Sequence, residues 1–344
     1  MTGARAPSRS KFWWMNAVAL AVGCAFVVAG VLLGEIALRI ASPWGPRAEE
    51  HDAPPYMEPS AALGWQPKAS LRTHTKKIIG DEVLYDVTYT FDEHRRRVVP
   101  TDPAVSHPRF LLFFGCSHTF GEGVEDDETL PYYVSRLLPD THAYNYAFRG
   151  YGPQHMLARL EASNLRDEVA QPAGAAVFVF PALILNRLIG GSATLYWVPS
   201  LPYYRLENGE PIREGFFQTT RPLYSLFGWA LGTSRLMQHL NIAWPLRQRP
   251  EDLALACAVL GKAKRLLDAQ LGPTPLVVVL HPVSWFLDLA TCLDPLGIPV
   301  LDYHALFPEA ERGAMTIPRD GHTSARGNQV LATQLAADIR DVLP

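Results

Sequence analysis

Phe110-Leu-Leu-Phe-Phe-Gly115-Cys-Ser117-His-Thr119-Phe-Gly121-Glu-Gly123 is an apolar run that stops abruptly at a glycine-spaced polar turn. An apolar run without polar alternation is what a strand looks like when both faces of its sheet are covered. The Gly-x-Ser-x-Thr-x-Gly that follows presents a serine hydroxyl at the rim of that sheet. Similar runs recur at Ala143 to Ala147, Ala175 to Phe180, Leu276 to Leu280 and Pro299 to Tyr303, separated by helical patterns. Together they predict an α/β fold with a five-stranded parallel sheet. Helices are predicted over Pro250 to Leu271, acidic at its start with Gly272 beyond its end, and over Ala325 to Val342, with Thr323 or Ser324 as cap.

The chain has 344 residues, a net charge of -3 and 19% charged residues. That is enough for one α/β domain with appended segments. No lysine or arginine block stands out, so nucleic acid is set aside as a partner. Arg5, Arg9 and Lys11 precede Phe12 to Gly34, a stretch without a charged residue. As a helix it is long enough to cross a bilayer, with Trp13 and Trp14 as interfacial anchors. A cleaved signal peptide is the rival reading, but its apolar region would run to only about 7 to 15 residues, and no clear Ala-x-Ala site follows. The basic residues place segment 1–11 in the cytoplasm, the span at 12–34 in the inner membrane, and the rest in the periplasm or otherwise outside; Arg39 and Arg47 weaken this asymmetry.

Residues 35–68 hold Pro43, Pro46, Pro54, Pro55, Pro59 and Pro67 and are expected as an extended stalk. Residues 69–108 are expected as a small β appendage: a hairpin from Arg72 to Ile79, a turn at Gly80-Asp81, and the period-two alternation of Val83, Tyr85, Val87, Tyr89 and Phe91. Among the cysteines, Cys24 lies in the span and Cys116 beside Ser117, leaving Cys257 and Cys292 as a possible pair. Cys257 is read as a small core residue on a helix, and no disulfide framework or metal spacing appears.

A serine hydroxyl becomes a competent nucleophile when an imidazole takes its proton, and the imidazole needs a carboxylate to fix its tautomer. Ser117 has these partners in Asp320-Gly-His322, where a turn at Gly321 could let the aspartate support the histidine. The set calls for no cofactor and no metal. These residues resemble the SGNH/GDSL hydrolase family. Gly115-Cys-Ser117-His-Thr119 is similar to its first block, Asn145-Tyr-Ala-Phe-Arg-Gly150-Tyr-Gly152 to its second, with Gly150 as an oxyanion donor, and Asp320 with His322 to its last. The resemblance covers roughly 109–344 and implies a flavodoxin-like three-layer α/β/α sandwich that acts on ester groups through an acyl-serine, with the Ser117 and Gly150 N–H groups holding the oxyanion. Asn186 is the candidate for the family's third-block asparagine, although it lies several residues beyond its strand. Cys116 replaces the family's usual aspartate. The short Asp-x-His block resembles membrane-associated O-acetyltransferases that act on exopolysaccharides.

The resemblance, together with the spanning segment, implies a membrane-anchored serine esterase acting on an acylated small molecule or an envelope substrate. The alternatives are an O-acyltransferase that modifies an envelope polysaccharide, and a catalytically impaired protein that binds glycan or a partner. His118 and His281 are read as minor candidates to line the substrate site. Glu122, Glu125, Asp126 and Asp127 are read as the acidic approach to a helix over Tyr132 to Leu138. Residues 188–249 form an aromatic-rich insertion that includes Tyr196, Trp197, Tyr203, Tyr204, Phe217, Phe227, Trp229 and Trp244, with a hairpin at Asn208-Gly209. It is either a lid or an insertion with its own small core.

Overall fold

The structure is a computed structural model that describes residues 9–41, 48–102, 104–192, 197–245, 249–282 and 287–344, with side chains from residue 13 onward. Arg5, Pro43, Pro46, Arg47 and Tyr196 lie outside the described residues. The chain opens with a 33-residue helix, α1 (Arg9–Ala41). Its segment Trp13–Ala41 contains an 18-residue window of mean hydropathy 2.5, none of which is buried within the protein. A helix this long, apolar and exposed is compatible with a bilayer as its surroundings.

Strands β1 (Ala48–Ala53), β2 (Met57–Ser60) and β3 (Gly64–Pro67) follow. Residues 48–67 are therefore folded, where an extended stalk was expected. The prolines did not prevent this, because they fall at strand ends and on edges where no ladder hydrogen bond is missed. β1 pairs antiparallel with β4 (Leu71–Ile79), which pairs with β5 (Glu82–Phe91) across the Gly80-Asp81 turn. Tyr85, Val87, Tyr89 and Phe91 face inward as the alternation predicts, while Val83, past a register shift in the β4–β5 pairing, is exposed.

The main sheet contains β6 (Arg109–Phe114), β7 (Thr141–Asn145), β8 (Ala173–Phe180), β11 (Leu276–Leu280) and β12 (Val300–Asp302), all parallel. Its spatial order is β12-β11-β8-β6-β7. Numbered along this sheet alone, that is 2-1-3-4-5 read from the other edge, the flavodoxin-like winding. Phe110, Leu112 and Phe114 point into one core and Leu111 and Phe113 into another. The first core is closed by α4 (Pro153–Ala162) and α9 (Pro250–Leu271), the second by α3 (Leu130–Leu137) and α12 (Ala325–Asp338). Burial on both faces explains why β6 carries no polar alternation. One-turn helix α2 (Ser117–Phe120) leaves the end of β6, and α5 (Ile184–Ile189) follows β8. The Ser324 side chain caps α12 by accepting from the Gly327 N–H at 3.2 Å.

The insertion contains hairpin β9 (Pro202–Glu207) and β10 (Glu210–Phe216), then α6 (Phe217–Thr220), α7 (Pro222–Gly232) and α8 (Arg235–His239). Asn208 and Gly209 both have positive φ, 50° and 84°, which the tight hairpin turn requires. Short helices α10 (Ala290–Leu293) and α11 (Arg312–Met315) complete the chain. Cys257 on α9 is bonded to Cys292 on α10, with Cα atoms 6.1 Å apart. This corrects the reading of Cys257 as a plain core residue: sequence alone could not show that α10 crosses α9 at that point.

Arg97 joins the appendage to the sheet. Its backbone bridges Phe91 on one side and Asn145 of β7 on the other. Its buried guanidinium donates to the Phe120, Gly121 and Val124 carbonyls and to Asp126 Oδ1 at 2.9, 2.5, 2.6 and 2.9 Å, and it stacks over Tyr89 and Phe120. Removing it takes the guanidinium donor from three carbonyls and the paired cation from Asp126 in the loop that follows Ser117. Arg97→Ala is expected to cost about 3–5 kcal/mol of stability, read from urea denaturation of the full chain in detergent; a cost within about 0.5 kcal/mol, the range of ordinary surface substitutions, would show that the guanidinium is not the clamp.

Candidate active site

The end of β6 is built to present Ser117. Gly115 sits at φ 153°, and a Cβ there would collide with Thr119 Oγ1 and crowd the Val179 carbonyl. Any other residue would push the turn away from the sheet. Cys116 then occupies the N-cap of α2 without a side-chain cap hydrogen bond, packed as a core residue. Ser117 is the first residue of the turn and is 5% exposed.

His322 arrives from the loop before α12. That loop is closed by a bridge between Thr316 and Thr323 and by the Ile317 N–H donating to the His322 carbonyl at 2.8 Å. Gly321, at φ 86°, reverses the chain between Asp320 and His322. The reversal lets a two-residue spacing bring the carboxylate beneath the ring. His322 Nδ1 lies 2.5 Å from Asp320 Oδ1 and Nε2 lies 2.8 Å from Ser117 Oγ. With Nδ1–H donated to the carboxylate, Nε2 is the acceptor for the serine hydroxyl. Three residues placed together from sequence are thus together in space.

A second carboxylate stands on the other side of the ring. Glu122 Oε2 is 3.5 Å from His322 Nε2, and its side chain is 4% exposed. Arg149 grips Glu122 with two hydrogen bonds, Nε to Oε2 at 2.9 Å and Nη2 to Oε1 at 3.0 Å. The same guanidinium donates to Tyr56 Oη and Glu50 Oε1 at 2.8 and 2.7 Å. Lys77 of β4 donates to Asp320 Oδ2 at 2.7 Å and lies 3.2 Å from Glu50 and 3.7 Å from Glu122. Glu122 is therefore no part of an acidic approach to α3. Glu125 and Asp126 do sit near the start of α3, where Glu125 accepts from the Thr88 N–H and Asp126 from Arg97 and the Thr90 N–H. The clue to Glu122 in the sequence was its place between Gly121 and Gly123, a poor setting for helix approach; its partners Arg149, Lys77 and Glu50 were too distant in sequence to be linked to it. Glu122, Asp320 and His322 bring their ligand atoms within 4.8 Å of one another. Arg149, Lys77 and Ser117 already engage those atoms, which makes the cluster a charge and proton network.

Titration follows from this geometry. Burial alone would lower the His322 pKa. The Glu122 charge and the hydrogen bond and charge of Asp320 outweigh it and hold the imidazole above its ordinary value. Burial would raise both carboxyls, yet His322 with Arg149 and Lys77 holds Glu122 below the usual range, and His322 with Lys77 does the same for Asp320.

His118 and His281 flank the set. Thr323 Oγ1 bridges them, 3.0 Å from His118 Nδ1 and 3.1 Å from His281 Nε2. The His118 ring lies 4.6 Å from His281 and 5.0 Å from His322. Burial first, then neighbouring cationic groups, drives His118 well below its ordinary value and His281 down to about 3, so both stay neutral beside the triad. Gly150 occupies the turn after β7 at φ 77°, where a Cβ would meet the Trp197 and Trp65 rings at 2.6 and 2.8 Å. Those rings stack with centroids 4.8 Å apart, so Trp197 of the insertion covers the neighbourhood of Gly150. Asn186 lies half-buried in α5; its carbonyl accepts from the Gly191 N–H at 2.6 Å, and among the described residues its side chain makes no hydrogen bond to Ser117 or His322.

No family model and no curated protein matches the chain. Solved structures do align with it. A member of the lipolytic protein G-D-S-L family from Veillonella parvula is 14% identical, with 67% of this chain and 97% of that one covered at a TM-score of 0.35. A catalytic mutant of an acetylxylan esterase from Geobacillus stearothermophilus is 12% identical, covering 68% and 95% at 0.38. An SGNH-hydrolase family esterase, AlinE4, is 16% identical, covering 70% and 100% at 0.35. The fold assignment rests on the strand order itself, and the functional reading on the distances above.

The His322 imidazole should titrate above about 6.5, the ordinary histidine value. Glu122→Gln keeps the shape and removes the negative charge, so the titration midpoint should move to lower pH, followed by NMR of the ring protons. An unchanged midpoint would show that Glu122 does not act on the imidazole.

Proposed function

We propose that the protein is a serine ester hydrolase that works through an acyl-serine intermediate. The observation that carries this reading is the continuous relay Ser117 Oγ to His322 Nε2 at 2.8 Å and His322 Nδ1 to Asp320 Oδ1 at 2.5 Å. Ser117 attacks the ester carbonyl carbon while His322 takes the hydroxyl proton. Asp320 fixes the ring and stabilises the imidazolium, and His322 returns the proton to the leaving alcohol. Water activated by the same base then releases the acid. The N–H groups of Ser117 and Gly150 hold the oxyanion, with the Asn186 amide as a third donor. Neutral His118 and His281 line the approach without competing for the proton.

The helix α1 anchors the protein in the inner membrane with segment 1–11 in the cytoplasm and the catalytic domain in the periplasm, acting on an acylated envelope substrate. The basic residues ahead of the span support that orientation. The Cys257–Cys292 disulfide also supports it, since such bonds persist in oxidising compartments. Transfer of the acyl group to a hydroxyl acceptor such as an envelope polysaccharide is the second reading. The observation in its favour is the Gly321 reversal that makes Asp320-Gly-His322 competent, the spacing that resembles O-acetyltransferases. Product analysis with an added sugar acceptor separates the two: acylated sugar marks transfer, free acid alone marks hydrolysis.

A fluorophosphonate probe should label the full chain at Ser117 and leave Ser117→Ala unlabelled; equal labelling of the two would remove the nucleophile, and with it the reading. In aryl ester turnover, Asp320→Asn should lose about 10⁴-fold in kcat because the imidazole is left in the wrong tautomer. The acid limb of kcat/KM should lie at the raised His322 pKa and move to lower pH in Glu122→Gln, since the base works only when unprotonated.

A further inference from the structure

Helix α7 is largely apolar and carries no charged residue, yet it stands mostly in solvent. Leu223 is 79% exposed, Leu226 61%, Phe227 48% and Trp229 55%. Leu223, Leu226, Phe227 and Ala230 fall at i, i+3, i+4 and i+7 and form one face. No charged residue occurs between Arg221 and Arg235, and past α8 Leu240 and Ile242 extend the patch. Other groups hold the helix to the domain: Gly228 is buried and Tyr224 Oη donates to the Ile189 carbonyl at 3.1 Å. A contiguous apolar patch of this kind marks an interaction surface.

What covers it follows from where it is fastened. Glu35, an acidic residue in the otherwise apolar second half of α1, accepts from Ser234 Oγ at 2.8 Å and from the Arg235 and Leu236 N–H groups at 2.9 Å each. Arg39 Nη2 donates to the Thr233 carbonyl at 3.2 Å while its Nε pairs with Glu35 at 2.7 Å. Both polar side chains near the end of α1 are thus spent on the start of α8. The exposed surface of α7 is thereby tied to the exposed apolar surface of α1 at Leu33, Ile36 and Ile40.

We infer that α7 and α8 form an interfacial element lying on the outer leaflet of the bilayer that α1 crosses, with Leu223, Leu226, Phe227 and Trp229 seated between headgroups and acyl chains. This rests on the reading of α1 as a membrane span. Its consequence is orientation: a single spanning helix would leave the domain to tumble, and the second contact holds the catalytic domain at a set angle over the lipid surface.

The test uses the full chain in phosphatidylcholine vesicles whose acyl chains carry bromine near the headgroup, a short-range quencher of tryptophan. Removing a quenched emitter lowers the quenched fraction of the total emission, whereas removing a water-exposed one raises it. Trp229→Phe is therefore expected to lower the quenched fraction, and a rise would overturn the proposal. A Trp229 shielded from both brominated lipid and aqueous acrylamide would mean that a second copy or another protein covers the patch, which also overturns it. The Trp13→Phe/Trp14→Phe variant reports on α1 separately: lipid quenching at those rings with none at Trp229 sinks the docking and keeps the span, while none at either site sinks the span. Leu226→Glu, placed on an exposed face, should reduce quenching at Trp229 and leave fluorophosphonate labelling of Ser117 unchanged.

Discussion

Pairing of buried charge around His322 is the constraint on which the rest of the structure depends. Glu122 and Asp320 are both nearly inaccessible, and both flank one imidazole. Two carboxylates cannot stay ionised away from water unless cations and hydrogen bonds replace the solvent they lost. Arg149 provides this for Glu122 and Lys77 for Asp320, and Glu50 in turn links the two cations. Excluding His322, this cluster holds three carboxylates against two cations, so its remaining charge favours a proton on the ring. That is the charge an imidazole must carry while a serine attacks a carbonyl.

The N-terminal strands are part of this machinery. Lys77 comes from β4, Glu50 from β1 and Tyr56 from the segment that leads into β2, while Ser117, Glu122 and Arg149 come from loops at the carboxyl ends of β6 and β7. The parallel sheet places Ser117, and the antiparallel layer places charges around His322. Arg97 fastens the two layers at the loop between Ser117 and Asp126, where a small displacement would change the serine-to-histidine distance.

Thr323 gives the site a second level of order. Its hydroxyl sits between His118 Nδ1 and His281 Nε2 and ties the two rings together through one oxygen. Neutral rings on that flank leave His322 as the member of the cluster able to carry charge. The aromatic insertion divides in two: its hairpin is stitched to α4 by the Tyr204 hydroxyl donating to Glu161 at 2.6 Å and to α9 by Lys262 Nζ donating to the Pro211 carbonyl at 3.3 Å, while α7 and α8 face outward and the start of α8 contacts α1. It is therefore neither a plain lid nor an insertion with a core of its own.

The parallel sheet was legible in the sequence because a strand covered on both faces shows as an unbroken apolar run, as at Phe110–Phe114, Ala175–Phe180 and Leu276–Leu280, with two shorter, largely apolar runs beside them. Ser117, Asp320 and His322 were legible because chemistry demands those residue types and because Gly115 and Gly321 mark the turns that present them. The flavodoxin-like form followed from resemblance and was then fixed by strand order, which pairwise strand contacts alone decide. The folded state of residues 48–67 was hidden, since short edge strands with prolines look like linker until their partners are known. Glu122, Arg149, Lys77 and the Cys257–Cys292 bond were hidden for one reason: each is a contact between segments far apart in the chain, and local periodicity carries no information about which distant side chain will neutralise a buried charge or meet a thiol. Sequence by itself determined the layers and the turn that presents Ser117; only the tertiary structure decided how the charge around His322 is balanced, because that balance is a sum over neighbours brought together by folding.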